Sequence, residues 1–576
     1  MRQKSIFKAL IAVVIALLLT GLTGCDRFST TSFRQVGENQ SSENLGTAML
    51  ISKQAPFTVS ILTSDMNWQK VAENADISKL KKSLFANTNI DYKKDIQPWL
   101  GKEMTLSVAT PDIDSDFTNG RQPGYLMVLT SKDSQKSREF IEFYFSQRVL
   151  SGSQLNIERY KGIKIISDSL SPEKEKESIL AVATLSDRFI LFANYPEVLK
   201  EAINNIQAPS VSLSSYLPYQ QAIEKLPKKP IAIAFLNLNQ IAKWKGWKLK
   251  KLDYENQIIS LSESPQGLLA QTSLIATEKT LPSAASVSQP VKALEYIPST
   301  AGLVISGVDL SNLNQSNLAE FWQQTQLKIS SKSKGILSEI FTGKNRLAKL
   351  SSLNNEVKLN SQEKLEQKYG LNLSEDIFSW VKGEYAFAIL LSPGSNSVNW
   401  IFVTEKVSNT AQGVTHLDDI ARKNGLIASP LNLGEQELST WTKLETDNPK
   451  VQLAEVTKDF AVQAKIYGVH TNIENYEIFA SSVETIAKVL TSEDNSIIRN
   501  RKFKDSIAKI PQPNQGYIYL DWEESKQQIE NQLPILKLAE IIGKPFFDKL
   551  RSLTISSYEN QDYVLNGGIL FNLKAN

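Results

Sequence analysis

The feature that most constrains this chain is an internal repeat. Ile90 to Ala109 reads IDYKKDIQPWLGKEMTLSVA and Leu371 to Leu390 reads LNLSEDIFSWVKGEYAFAIL; aligned without gaps they share Asp95/Asp376, Ile96/Ile377, Trp99/Trp380 and Glu103/Glu384. Downstream, FILFANYPEVLKEAI from Phe189 matches YEIFASSVETIAKVL from Tyr476, pairing Phe192 with Phe479 and Glu197 with Glu484. AIEKLPKKPIAIAFLNL from Ala222 then matches SIAKIPQPNQGYIYLDW from Ser506, pairing Pro227 with Pro511 and Leu236 with Leu520. Chance supplies one such match, but not three in the same order at nearly constant spacing. The pattern therefore predicts one structural unit present twice. We read two homologous halves, residues 49–280 and 293–576, joined by a Ser/Ala/Pro linker at 281–292. The second half carries extra sequence at about 323–368, where GILSEIFTGKNRLAKL spaces its apolar residues as a helix does, so a helical insertion is expected there.

Within each half, short β-type runs alternate with helical ones. Met104 to Ala109, Tyr125 to Leu129, Ile163 to Ile166, Ile179 to Thr184, Phe189 to Phe192 and Ile231 to Leu236 read as strands. Ile77 to Phe85, Ser134 to Arg148 and Val198 to Ile206 read as helices. Strands in pairs with occasional helices do not fit an alternating parallel order. They predict an α+β fold in which each half is a mainly antiparallel sheet with helices packed on one face.

The start of the chain is a different material. Arg2, Lys4 and Lys8 precede an apolar stretch from Ala9, and Leu22-Thr23-Gly24-Cys25 follows it. The apolar run is short for a bilayer span, which needs about 20 residues, and suits the central region of a secretory signal. Leu-Thr-Gly-Cys resembles the bacterial lipobox, so residues 1–24 are expected to be a lipoprotein signal peptide and Cys25 the lipidated residue. Cys25 is the only cysteine, which excludes an intrachain disulfide. Residues 25–48 are polar and lack periodicity, as a flexible tether would be. The expected setting is a membrane-anchored, extracytoplasmic one.

Charge and motifs then narrow the chemistry. The three basic residues of the signal are the whole excess of 64 basic over 61 acidic residues, so the remainder is formally neutral. A nucleic-acid partner is not expected without a basic footprint. Neither phosphate-cradling glycine motif is present, so a nucleotide is not expected either. Histidine occurs only as His416, placed on a helix, and His470, placed in a hairpin. Neither belongs to a metal-ligand pair or a nucleophile triad. The recurring Asp-Ile-x-x-Trp-x-x-x-Glu supplies two carboxylates per half. Its reading is structural, with Asp95 and Asp376 capping a short helix whose Trp anchors it in the core. Gly567-Gly568, between β-type residues, reads as a bulge or a tight strand contact.

Two weaker candidates remain. Asp112, Asp114 and Asp116 alternate along a loop and form the best metal site, for calcium if any; the sixth and twelfth positions, Phe117 and Pro123, depart from an EF-hand. Lys243-Trp244-Lys245-Gly246-Trp247-Lys248 is a basic-aromatic cluster suited to a membrane interface. No cofactor is otherwise expected.

The stretches ANTNIDYKKDIQPWLGKEMTLSV, QPGYLMVLTSKD, YKGIKII and RFILFANYPEVLKEAINNIQAP resemble an uncharacterised cyanobacterial family, the domain of unknown function numbered 3352. Members typically begin with a single hydrophobic segment. The resemblance implies a photosynthetic bacterium with plasma and thylakoid membranes, and brings no activity or cofactor. The expected function is a non-enzymatic, lipid-anchored binding or scaffold protein with a protein partner. The alternative is a holder of an apolar ligand such as lipid or pigment, and a hydrolase is a distant third.

Overall fold

The computed structural model describes residues 46–62, 92–116, 122–150, 152–169, 181–224, 230–245, 254–276, 286–311, 371–390, 399–446, 462–491, 495–526, 547–561 and 564–574. The expected signal, Cys25 and nearly all of the expected tether, the helix expected at 77–85 and the insertion expected at 323–368 lie outside these residues.

The first ten strands are β1 (Phe57–Leu62), β2 (Leu100–Thr110), β3 (Gly124–Ser131), β4 (Gln154–Tyr160), β5 (Ile163–Ser169), β6 (Ala181–Leu185), β7 (Phe189–Ala193), β8 (Ala232–Asn237), β9 (Tyr254–Ser264) and β10 (Gly267–Ala276). The next ten are β11 (Ala301–Val308), β12 (Glu384–Leu390), β13 (Asn399–Glu405), β14 (Ile427–Leu433), β15 (Gln436–Thr446), β16 (Val462–Ile473), β17 (Tyr476–Ala480), β18 (Tyr517–Asp521), β19 (Leu550–Gln561) and β20 (Val564–Leu573). The helices are α1 (Ser134–Leu150), α2 (Pro196–Gln207), α3 (Leu217–Glu224), α4 (Leu238–Lys245), α5 (Thr410–Lys423), α6 (Val483–Leu490) and α7 (Arg501–Ile507).

All of these strands belong to one sheet, and every pairing in it is antiparallel. In the first half the neighbours run β4-β5-β6-β7-β3-β2-β1-β8-β9-β10. In the second they run β14-β15-β16-β17-β13-β12-β11-β18-β19-β20, the same order with corresponding strands. The two series meet where β10 pairs with β20, Gly267 to Ile275 lying opposite Asn572 to Val564. Read from edge to edge, the strand order is a palindrome about that junction. The motifs shared by the two sequences fall at matching places: Glu103 and Glu384 on β2 and β12, Phe192 and Phe479 on β7 and β17, Leu236 and Leu520 on β8 and β18.

Alternation along the strands divides the core between two faces. Ile190 and Phe192 of β7 join Trp99, Phe140 and Tyr144 on one face, while Leu191 and Ala193 join Val198, Leu199 and Ile203 on the other. The first face is continuous across the junction, reaching Leu303, Trp380, Phe479 and Ile555 in the second half. The opposite face carries a separate core in each half, the second around Val304, Ile401, Val469, Ile486 and Phe503. Burying each such aliphatic side chain contributes roughly 1.5–3 kcal/mol.

This corrects the expectation of helices on one face. Helix α1 covers one side of the first-half sheet and α2 with α3 the other; α5 and α6 with α7 divide in the same way in the second half. The reason lies in the strands. FILFA of β7 and AIAFLN of β8 are buried at every position, so both faces are apolar and both need cover. The linker also ends in contact with the fold, because Val287 and Asn514 exchange backbone hydrogen bonds. Gly567 and Gly568 lie within β20, where a Cβ on Gly568 would stand 3.2 Å from the Tyr558 ring, so the pair marks a tight strand contact.

Candidate functional site

The recurring carboxylates hold local structure. Trp99 donates its indole N–H to the Asp95 carbonyl at 2.5 Å, and Trp380 to the Asp376 carbonyl at 2.7 Å. Each indole thereby closes the short turn before β2 or β12 while its ring enters the core. The cap of the second turn is Asn372, which accepts from the Ser374 N–H, and Asp376 reaches back to accept the Asn372 N–H at 2.6 Å. This reciprocal arrangement satisfies donors that a helix start leaves open. The capping function expected of Asp376 is therefore shared with Asn372.

The glutamates that end the motif do a matching job. Glu103 accepts from the Thr47 N–H and hydroxyl, at 3.2 and 2.5 Å, in the single turn Gly46–Leu50 that precedes β1. Glu384 accepts from the N–H groups of Lys292 and Ala293, at 2.7 and 3.3 Å, in the turn Lys292–Tyr296 that precedes β11. In both halves one carboxylate pins the turn entering the first strand. Their surroundings differ. Glu103 is buried, and burial pushes its carboxyl above the usual range against the hydrogen bonds from Thr47, Ser60 and Thr105. Glu384 is half-buried and also accepts from the Tyr476 hydroxyl at 3.0 Å.

A further polar constellation is one that sequence reasoning set aside. Both histidines stand beside α5. His416, on the helix, places Nε2 2.8 Å from Asp376 Oδ1. His470, on β16, places Nδ1 2.9 Å from Glu477 Oε1 on β17 and Nε2 3.5 Å from Asp418 Oδ1 on α5. Asp418 also accepts the Trp441 indole N–H at 2.7 Å. The His470 ring packs against Trp441 and Phe479, each with its centroid 5.4 Å away, and those two rings lie 6.3 Å from one another. His416 was correctly placed on a helix and His470 in a hairpin. The link between them was hidden because α5, β15, β16 and β17 meet only through the fold.

This arrangement bridges α5 to the sheet. His470 Nδ1 is engaged by Glu477, while Nε2 is buried, 3.5 Å from Asp418 and without a hydrogen bond. Those carboxylates lie on opposite sides of the ring, so the three groups do not converge on one ion. Among the described residues no group of three His, Cys, Asp or Glu is placed to hold a metal.

The Asp112–Asp116 stretch follows β2, and Gln122 bonds both Asp112 and Asp114, leaving Asp112 Oδ2 buried without a hydrogen bond. Asp112 is buried and accepts the Gln122 N–H at 2.9 Å; Asp114 accepts the Asp116 N–H at 3.0 Å. In the basic-aromatic cluster, Lys243 is exposed on α4. Trp247 and Lys248 lie outside the described residues, as do the side chains of Trp244 and Lys245. No helix among the described residues is long and apolar enough to cross a membrane.

A family model described as a protein of unknown function, DUF3352, matches residues 10–573. The chain belongs to that family. No curated protein matches it. Among solved structures, crystal form I of TP0453 aligns with a TM-score of 0.25 and 11% identity, covering 41% of this chain and 80% of that one. Crystal form III of TP0453 aligns at 0.26 and 12%, covering 41% and 81%.

Proposed function

We propose that this is an exported, lipid-anchored envelope protein that binds or scaffolds a partner and carries out no reaction of its own. The observation that carries the reading is the use made of the duplicated motif. Asp376 helps cap its turn, Trp99 and Trp380 bond backbone carbonyls, and Glu103 and Glu384 pin the turns entering β1 and β11. A duplicated catalytic unit would be expected to repeat reactive groups facing a cleft. Here the repeated polar groups are spent on backbone, and the repeated product is a sheet. The matching strand order supports an origin of the halves by duplication.

Cys25 is the proposed attachment point, with residues 1–24 as the signal removed before lipidation. Two or more acyl chains give stable anchoring where one is marginal. The test is a Cys25→Ser variant expressed beside the parent and followed through membrane fractionation, with affinity purification of both. We expect the parent in the membrane fraction with a reproducible protein partner and the variant unprocessed or released. Unchanged processing and membrane association in the variant would overturn the anchor. Co-purification of lipid or pigment in place of protein would favour a ligand holder.

A further inference from the structure

The two halves treat one region of their shared fold differently. In the first half, α2 runs for 12 residues and lies across the sheet as far as its edge. Lys200 pairs with Glu158 of β4 at 3.1 Å, and Asn204 accepts from the Tyr160 hydroxyl of β4 at 3.0 Å. Beneath the helix, Ile165, Ala181 and Ala183 are fully buried. In the second half the corresponding helix α6 has only 8 residues, about 6 Å less at 1.5 Å per residue.

The surface that α6 leaves open is apolar and uncharged. Direct pairing places Ile427 opposite Thr442, Ser429 opposite Thr440 and Leu431 opposite Leu438. Beyond β15, Thr442 lies opposite Ile466 and Leu444 opposite Ala464, with a bulge restoring Val469 to the same side. Leu438 and Val469 belong to the buried core of that face, which fixes its orientation. None of these positions carries a charge. Ile427, Leu431, Leu444 and Ile466 are exposed at 53%, 39%, 60% and 36%. Lys443 and Lys465, paired across the same strands, fall on the other side.

We propose that this face of β14–β16 docks an amphipathic α-helix of a partner polypeptide, over the strands whose first-half equivalents lie beneath the last turn of α2. Three observations select that occupant. A surface without charges matches the uncharged stripe of such a helix and offers nothing to an anionic lipid headgroup or nucleic acid. Three strands about 4.8 Å apart over five or six residues give roughly 250–300 Å². That suits one helix of about three turns and falls well short of the roughly 800 Å² per partner of a stable dimer, which disfavours a second copy. The first half supplies the third, since the turn by which α2 outruns α6, Asn204 to Gln207, lies over the equivalent strands, with Ile206 packed on the core there and Asn204 bonded to Tyr160 of β4. The proposal rests on the binding reading above and gives it a surface, but does not depend on the anchor at Cys25.

The test uses the detergent-solubilised full chain and a helix-constrained, fluorescein-labelled peptide with the α2 sequence, residues 196–207. Saturable binding is expected, weakened about tenfold or more, roughly 1.4 kcal/mol, by Leu444→Lys or Ile466→Lys. Leu150→Lys, at an exposed position of the first half, should leave it unchanged. A peptide with serine in place of its Leu199 and Ile203 should not bind. Thermal melting of each variant reports folding, and Ile466→Thr provides a milder change expected to weaken binding less. Absence of saturable binding at millimolar peptide, or binding indifferent to Leu444 and Ile466, would overturn the proposal. So would loss of phospholipid-vesicle binding or of self-association, seen by light scattering, as the main effect of these substitutions. A failed peptide test with intact membrane anchoring removes the docking face alone.

Discussion

The two halves reach the same strand order by different packing. Around Trp99 the first half fills its core from a helix: Phe140 of α1 lies 5.5 Å from the indole, with Tyr144 and Phe145 behind it. Around Trp380 the second half fills it from the sheet. Phe479 lies 6.4 Å away and stacks in turn with Trp441 and His470, while α5 contributes small residues such as Gly413 and Ala421. Polar fastening follows the same division. Helix α1 is tied to β5 by Arg148 and Asp168, whereas α5 is tied through Asp418 and His416 to Trp441, His470 and Asp376. One strand order therefore admits two helix–sheet interfaces, with the aromatic volume around the indole coming from the helix in one and from the sheet in the other.

Removing the shared indoles tests this comparison most severely. Trp99→Ala and Trp380→Ala should each destabilise by about 3–5 kcal/mol, from lost ring packing and a cavity in a continuous core. Because β10 and β20 pair and the first face runs through both halves, we expect either substitution to shift one common urea transition. Separate transitions, each moved by only one of the two variants, would divide the molecule at the junction.

A smaller effect separates the halves. Gly413 sits where a Cβ would overlap the Trp380 ring. Alanine inside a helix normally gains up to about 1 kcal/mol over glycine, yet overpacking costs about 1–3 kcal/mol. Gly413→Ala should therefore lower stability by about 1–2 kcal/mol, read from urea midpoints. A stabilised variant would mean that Trp380 can move aside at little cost.

Glu103 sharpens the comparison through pH. Its folded-state pKa is raised by burial, so below the unfolded value both states are protonated and this group imposes no penalty. As pH rises above about 4.3, the unfolded chain releases its proton first, and this group's contribution to stability falls until the folded carboxyl also ionises. Glu103→Gln should remove that decline, so its stability relative to the parent should improve between pH 3.5 and 7. Equal pH dependence of the two proteins would show that Thr47, Ser60 and Thr105 compensate burial fully.

Much of this architecture was legible in the sequence because its signals are local. FILFA gave β7 to within one residue, the helix expected at Val198 to Ile206 is α2, which starts two residues earlier at Pro196, and the repeat offset anticipated the matching places of Glu103 and Glu384. The merging of both sheets was not legible. Gly267 to Ile275 looks like any alternating strand, and nothing local says that its outer neighbour is β20. The histidine cluster was hidden for the same reason, since Asp376, His416, Trp441 and His470 come from separate elements. The open face of β14–β16 needed a further comparison, between the lengths of α2 and α6.

Those helices also begin differently, and this gives the smallest effect. Helix α2 follows Tyr195, which makes no side-chain cap, and starts with Pro196, whose fixed backbone and missing N–H suit a first helical position. Helix α6 follows Ser482, whose hydroxyl accepts the Thr485 N–H at 3.2 Å. A helix of two turns draws a larger share of its stability from such a bond than one of three. Ser482→Ala should cost about 1 kcal/mol and show as faster amide exchange confined to α6. If exchange in α6 stayed at the parent rate, packing of Ile486 and Val489 would be holding the helix without its cap, and the shorter helix would be the better anchored of the two.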